Sequence, residues 1–298
     1  QAAAGGWLVR RHAGMSARVG VYQGARVALL TRHGKHAQIA PPLEQALGCG
    51  VLLVDRFDTD TLGTFTRDVP RAGSQRDAAR RKAELGMELA GLSCGVASEG
   101  TFGADPFGAL VAWNVELVLW VDAARGLEVA GWAQAPAHQV QETVHDEATL
   151  EALARAAGFP DQGLVLRPEH EDHPRIVKDC ATWPALHAAF CTLRELAHDG
   201  AVFVESDLRA HRNPARREVI ALAAADLARR LAVSCPRCEA PGYGVVEGLR
   251  GLPCGWCGAP TTQLCGERFA CGQCGHGEQR LWPHAERADP GNCARCNP

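Results

Sequence analysis

Glu116-Leu-Val-Leu-Trp-Val-Asp122 and Leu127-Glu-Val-Ala-Gly-Trp-Ala133, joined by Ala123-Ala-Arg-Gly126, decide the fold class. Both are short runs rich in Val, Leu and Trp, and the joint ends on Gly, so the pair reads as an antiparallel hairpin. Upstream, Arg26-Val-Ala-Leu-Leu-Thr31 and Val51-Leu-Leu-Val-Asp55 are apolar runs bounded by polar turns. They read as buried strands with a helix over 38–47 between them. Ser74 with Asp77 has the form of a capping box and Gly91 supplies a stop, which sets a helix over 74–89 before a strand at 93–97. Helices are also expected over 146–157, 184–197 and 213–233, the last with Asn213 as N-cap and Pro214 behind it, and strands near 163–166 and 201–204. Strands alternating with helices, plus one antiparallel hairpin, predict an α/β domain on a mixed sheet.

The rest of the chain differs in character. Of 13 cysteines in 298 residues, nine fall from Cys235 onward, and eight of these form the Cys-x-x-Cys pairs Cys235/Cys238, Cys254/Cys257, Cys271/Cys274 and Cys293/Cys296, leaving Cys265 over. A Cys-x-x-Cys turn sets two thiolates on one side of a tight loop at a separation suited to a tetrahedral ion, and two turns close a site. Gaps of 15 and 18 residues within a sequential pairing match zinc-ribbon spacing. The expected sites are therefore Cys235, Cys238, Cys254, Cys257 and Cys271, Cys274, Cys293, Cys296, with an interleaved pairing as the alternative. Because every ligand is a thiolate, no position remains for substrate, and the two zinc ions would be structural. The expected organisation is a weakly structured segment 1–18, an α/β domain over 19–234 and a C-terminal module of tandem four-cysteine zinc ribbons over 235–298.

Net charge is −3, which gives no global pull toward nucleic acid or an anionic membrane. Two ions each held by four thiolates would add about −4 to the tail, further against nucleic acid as a partner. The ribbons offer a surface for a protein partner instead. No apolar run is long enough to span a bilayer and no secretory signal opens the chain, so a soluble, cytoplasmic protein is expected.

Loops at the carboxyl ends of strands are where α/β sheets bind ligands. Thr31-Arg-His33-Gly-Lys35 after the first strand offers a hydroxyl, a Gly turn and two cations to a small anion such as a nucleotide. Glu99 after the strand at 93–97 offers a carboxylate between polar and Gly neighbours. The basic residues are 28 Arg and only three Lys, at 35, 82 and 178. Lys82 falls with Ala78, Leu85 and Leu89 on an apolar helical stripe, either as a snorkelling side chain or as an ammonium aimed into a cleft, with Asp77 near the helix start free to hold a metal. Arg212 lies in Asp207-Leu-Arg-Ala-His-Arg212, just before a helix N-terminus that suits either an anion or a solvated cap. His170 and His173 read as a polar loop, and Cys94 and Cys180 as small buried hydrophobes.

Thr31-Arg-His-Gly-Lys35, Ile39-Ala-Pro-Pro42, Asp58-Thr-Asp-Thr-Leu-Gly-Thr-Phe65, Ala83-Glu-Leu-Gly-Met87, Ala97-Ser-Glu-Gly-Thr-Phe-Gly103 and Cys293-Ala-Arg-Cys-Asn-Pro298 together resemble the family called domain of unknown function 6671, over nearly the whole chain from Val19. That resemblance implies no activity. The order of Thr31 and Lys35, Asp77 with Lys82-Ala83, Ala97-Ser-Glu-Gly100 and His211-Arg212 is also similar to the inosine triphosphatase superfamily of nucleotide pyrophosphatases, with Glu99 alone where that family carries two Asp. This second resemblance implies a Mg2+-dependent hydrolase of nucleoside triphosphates in which Lys35, Lys82 and Arg212 clamp the triphosphate and Asp77 and Glu99 hold the ion and orient water. The alternatives are a non-enzymatic protein whose cleft binds a nucleotide or other anion while its zinc ribbons mediate protein contacts, and, behind it, an RNA-contacting factor that uses the ribbons.

Overall fold

A computed structural model describes residues 20–32, 34–57, 73–104, 111–283 and 286–298, and all structural statements concern these. The hairpin is present and longer than expected: β4 (Ala112–Asp122) pairs antiparallel with β5 (Leu127–Ala137) along its whole length. The buried Asp122 carboxylate closes the turn, accepting from the backbone N–H of Arg125 at 3.1 Å and from its guanidinium at 3.0 Å. On its other side β4 pairs with β3 (Cys94–Ala104), also antiparallel. β1 (Arg26–Leu30) lies parallel to both β3 and β2 (Gly50–Val54). The result is a mixed five-stranded sheet of order β2-β1-β3-β4-β5.

Three helices cover the sheet. α1 (His36–Leu47) and α5 (Pro214–Leu231) lie on one face, where Ile39, Leu43, Ile220 and Leu227 meet Leu29, Val96, Val118 and Trp120. α2 (Gln75–Ala90) covers the other, where Ala79, Ala83 and Met87 meet Leu30, Ala97, Leu117 and Leu119. Because β4 contributes to both cores, it reads as an unbroken apolar run and not as alternation. The Ser74–Asp77 capping box is present. The stripe assigned to α2 from sequence holds at Ala78, Lys82 and Leu85 and fails at Leu89, which is exposed, the buried face being centred on Ala79, Ala83, Gly86 and Met87.

Residues 19–234 contain a second sheet that the sequence reading did not separate. β6 (Gln141–Val144), β7 (Leu164–Pro168) and β8 (Val202–Ser206) form an antiparallel sheet of order β6-β8-β7. With α3 (Glu147–Ala157) and α4 (Trp183–Leu196) it builds its own core around Leu150, Leu166, Phe190 and Val204. The cysteine-rich segment adds a third sheet, β11-β10-β9, from β9 (Gly244–Arg250), β10 (Leu264–Ala270) and β11 (Gly277–Leu281). Among the described residues no helix is long and apolar enough to cross a membrane. The segment 1–18 lies outside the described residues.

α5 can lie this close to β5 because residue 131 is Gly. A Cβ there would stand 2.4 Å from both the Ala223 carbonyl oxygen and the Leu227 nitrogen, helix backbone that cannot rotate away. Gly131→Ala is therefore expected to lower unfolding free energy by about 1–3 kcal/mol in urea titrations, by forcing helix and sheet apart. A change within about 0.5 kcal/mol, the usual range for a surface substitution, would show that the helix shifts without cost.

Candidate functional site

β1 and β3 are neighbours, and the helices that follow β1 and β2 lie on opposite faces of the sheet. That reversal makes the carboxyl end of β1 a topological switch point, where open α/β sheets leave a crevice. Register deepens it: Leu29 stands opposite Val96, so β1 stops while β3 runs on from Ser98 to Ala104. Ionisable side chains from five different segments meet here.

Lys35, in the loop after β1, is buried and donates to Ser98 Oγ at 3.1 Å. Ser98 and Gly100 share the α5-facing side of β3 with Glu116 of β4. Glu116 accepts from Arg216 Nε of α5 at 2.7 Å, both side chains being essentially withdrawn from solvent. The place a Cβ would take at Gly100 is filled by the Glu116 carboxylate and the Arg216 guanidinium, so any side chain there would have to displace that ion pair. On the other face Lys82 of α2 forms an ion pair with the buried Glu99. Gln75, at the start of α2, donates to the Glu99 carbonyl at 2.7 Å. Burial lowers the Lys35 ammonium to about 7, helped by the charges of Arg216 and Lys82 and opposed by those of Glu99 and Glu116. Two buried acceptors, Asn114 Oδ1 and Glu116 Oε2, have no hydrogen-bond donor among the described residues.

Of the cleft residues expected from sequence, Lys35, Lys82 and Glu99 converge, and Thr31 is buried at the end of β1, its N–H donating to Val54. His33 lies outside the described residues. Asp77 does not join them. Its carboxylate caps α2 by accepting from the Ser74 N–H and hydroxyl, is held below the usual carboxylate range by those bonds and by Arg80, and is half exposed. A carboxylate that already closes a helix and pairs with Arg is not available with Glu99 for Mg2+. Arg212 is also elsewhere: it donates to the Cys180 carbonyl at 2.7 Å and lies 3.7 Å from Asp179, beside the second sheet. The basic run before α5 is satisfied internally, since Arg209 grips both Asp207 and Asp179, and Asn213 caps the helix through the Arg216 N–H. His170 and His173 each accept a local backbone N–H, as a polar loop should, and Cys94 and Cys180 are buried. Arg216, Glu116 and Ser98 were missed. The available signal was Glu116, an acidic residue inside an otherwise apolar central strand.

The eight cysteines form two four-thiolate clusters, but paired first with third and second with fourth: Cys235, Cys238, Cys271, Cys274 and Cys254, Cys257, Cys293, Cys296. The sequential pairing is thus corrected to the interleaved one. Its cause is the sheet. β9, β10 and β11 each run from one end to the other, so successive Cys-x-x-Cys turns fall at opposite ends and alternate ones meet. Sulfur separations of 3.8 and 3.6 Å in one cluster and 3.9 and 3.7 Å in the other match the ~3.8 Å edge of a regular tetrahedron with Zn–S near 2.3 Å, and are far beyond a disulfide. N–H groups at Arg237, Trp256 and Gln273 point at Cys235, Cys254 and Cys271, each 3.4 Å from sulfur, as a thiolate requires. The residue after the second cysteine is left-handed in three turns, Gly258 and Gly275 easily and Glu239 at a steric cost of about 1 kcal/mol.

Protein purified without chelator is expected to carry about two zinc ions per chain, set by the two closed thiolate sites. The double variant Cys238→Ser/Cys271→Ser should retain one ion by elemental analysis, and Cys238→Ser/Cys257→Ser should lose both; sequential pairing gives the reverse. Lys35 supplies a second expectation. Its folded value is depressed below the unfolded one, so between about pH 7 and 10 the unfolded chain binds the extra proton, and stability rises with pH through that window. Lys35→Met removes this contribution: its stability advantage over the parent, more than about 1 kcal/mol at pH 7, should vanish by pH 10 in urea titrations. Parallel pH profiles for the two proteins would show that Lys35 is not buried as a cation.

No curated protein and no solved structure matches the chain. The likeness to the inosine triphosphatase superfamily gains no support. A family model described as Domain of unknown function (DUF6671) matches residues 82–298. The match takes in Lys82, Ser98, Glu99, Glu116, Arg216 and all eight paired cysteines, and begins after the loop that carries Lys35. It spans well over half of the 298 residues, and the chain belongs to the DUF6671 family.

Proposed function

We propose that the protein binds a small anionic ligand at the carboxyl end of β1, with the two cysteine clusters holding structural zinc in a module that serves for protein contact. The observation that carries this reading is the charge count at the switch point. Among the described residues three cations, Lys35, Lys82 and Arg216, face two carboxylates, Glu99 and Glu116, and no carboxylate lies within ion-pair distance of Lys35. A bound anion would supply the missing counter-charge where low dielectric makes it count most. The N-terminus of α1, which follows β1, supports the same reading, because its N-cap is Lys35 itself and no side chain among the described residues caps it, leaving the first N–H groups of the helix without a cap. The donorless acceptors on Asn114 and Glu116 favour an anion that also carries O–H or N–H groups, as a nucleotide or sugar phosphate does.

Calorimetric titration at pH 8 with pyrophosphate and with nucleoside triphosphates should show binding that takes up a proton, read from the difference between two buffers of unlike ionisation heat. The proton goes to Lys35, whose value the anion raises. Lys35→Met should weaken binding at least tenfold, about 1.4 kcal/mol, and abolish the uptake. Absence of binding by orthophosphate, pyrophosphate and the nucleotides at millimolar concentration would sink the reading. Release of pyrophosphate from a nucleotide panel only when Mg2+ is present would turn it toward a hydrolase.

A further inference from the structure

The contact between Lys35 and Ser98 asks for more than anion binding. Lys35 Nζ donates to Ser98 Oγ at 3.1 Å, its one side-chain hydrogen bond among the described residues, inside the protein and between segments 63 residues apart. A lysine that serves only as a charge is found against a carboxylate, as Lys82 is against Glu99. Lys35 instead faces a hydroxyl, with burial first and then Arg216 of α5 and Lys82 of α2 discouraging its proton, and Glu99 of β3 and Glu116 of β4 only partly offsetting them. An amine so placed is neutral in a large fraction of molecules near neutral pH, and a neutral amine in hydrogen-bond reach of a serine is a general base beside a nucleophile.

We propose that Ser98 and Lys35 form a nucleophile and base pair that hydrolyses an ester or thioester of an anionic molecule. The reading rests on the anion site described above, which would hold the charged end of the substrate. Ser98 Oγ attacks the acyl carbon while its proton passes to the Lys35 amine. The acyl–oxygen or acyl–sulfur bond of the substrate breaks, and the leaving group takes the proton back from the Lys35 ammonium. Water then attacks the acyl-serine ester, giving its proton through Lys35 to Ser98 and releasing the acid. The Arg216 guanidinium occupies the space over Gly100, two residues along the same face of β3, and is the cation best placed to meet the charge that develops on the acyl oxygen. Acyl transfer is favoured over phosphoryl transfer because the latter draws on metal ions held by carboxylates, and here Glu99 and Glu116 are already paired with Lys82 and Arg216.

The test uses the full zinc-loaded chain and an uncharged fluorophosphonate ester, followed by intact mass and peptide mapping. A single adduct on Ser98 is expected, absent in Ser98→Ala and at least tenfold slower in Lys35→Met, both variants checked for folding by their thermal midpoints. The labelling rate should climb about tenfold per pH unit below pH 7 and level off above it, following the neutral amine. Saturating pyrophosphate should move that midpoint upward. No adduct on Ser98 in protein that binds pyrophosphate would overturn the pair and leave the binding reading standing. Labelling indifferent to Lys35→Met, or flat with pH, would overturn Lys35 as the base. Labelling in protein that binds no pyrophosphate would overturn the anion site and with it the anionic substrate.

Discussion

Charge withdrawn from water must be answered inside the protein, and at the carboxyl end of β1 five ionisable groups are withdrawn together. An unpaired ion in such a place costs several kcal/mol, so the arrangement of the surrounding elements is constrained by who pairs with whom. Arg216 reaches Glu116 only because Gly100 leaves room over β3, and Lys82 reaches Glu99 only because α2 lies against the opposite face. The two pairs thereby tie α5 and α2 to the central strands from both sides. Lys35 is the member left over. Among the described residues its side-chain hydrogen bond goes to the Ser98 hydroxyl and not to a carboxylate.

The cysteine-rich module obeys a different constraint. Its apolar core is small, built on Cys235, Tyr243 and Cys271 with Ala240 and Phe269 against them, and β11 is exposed throughout. A sheet with so little to bury gains little from its own core, and metal bonds at the two cysteine clusters would supply what that core lacks. The two clusters lie at opposite ends of a three-stranded sheet, where an ion in each would pin strand termini.

The sequence made some of this legible and hid the rest for physical reasons. Elements with strong local chemistry could be read directly: the capping box of α2, the Asn213–Pro214 start of α5, the apolar runs of β1, β2 and β4, and the eight thiolate ligands. Pairing of the ligands could not, because spacings of 15 and 18 residues satisfy a sequential site equally well. What decides it is the course of β9, β10 and β11, strands too polar and too exposed to announce themselves. The candidate site was half legible. Lys35, Lys82 and Glu99 stood out by type and position, whereas Arg216 is one Arg among 28 and gains its meaning only when α5 folds back on β4. Asp77 was misjudged although its true partner was already visible: a side chain that closes a capping box has spent its acceptors on Ser74.

Interleaving has a consequence for the order in which the module comes into being. In a sequential arrangement each ion could be captured by a local hairpin as soon as two neighbouring turns existed. Here the first cluster waits for β10 to return, and is complete at Cys274; the second waits for β11 and is complete at Cys296, 22 residues later. Translation at about 5–20 residues per second separates the two events by on the order of seconds. During that interval Cys254 and Cys257 stand with half a coordination shell, available to a zinc donor or to an oxidant. With zinc as the ion the clusters would hold, vulnerability to metal scarcity would be concentrated in the time of synthesis.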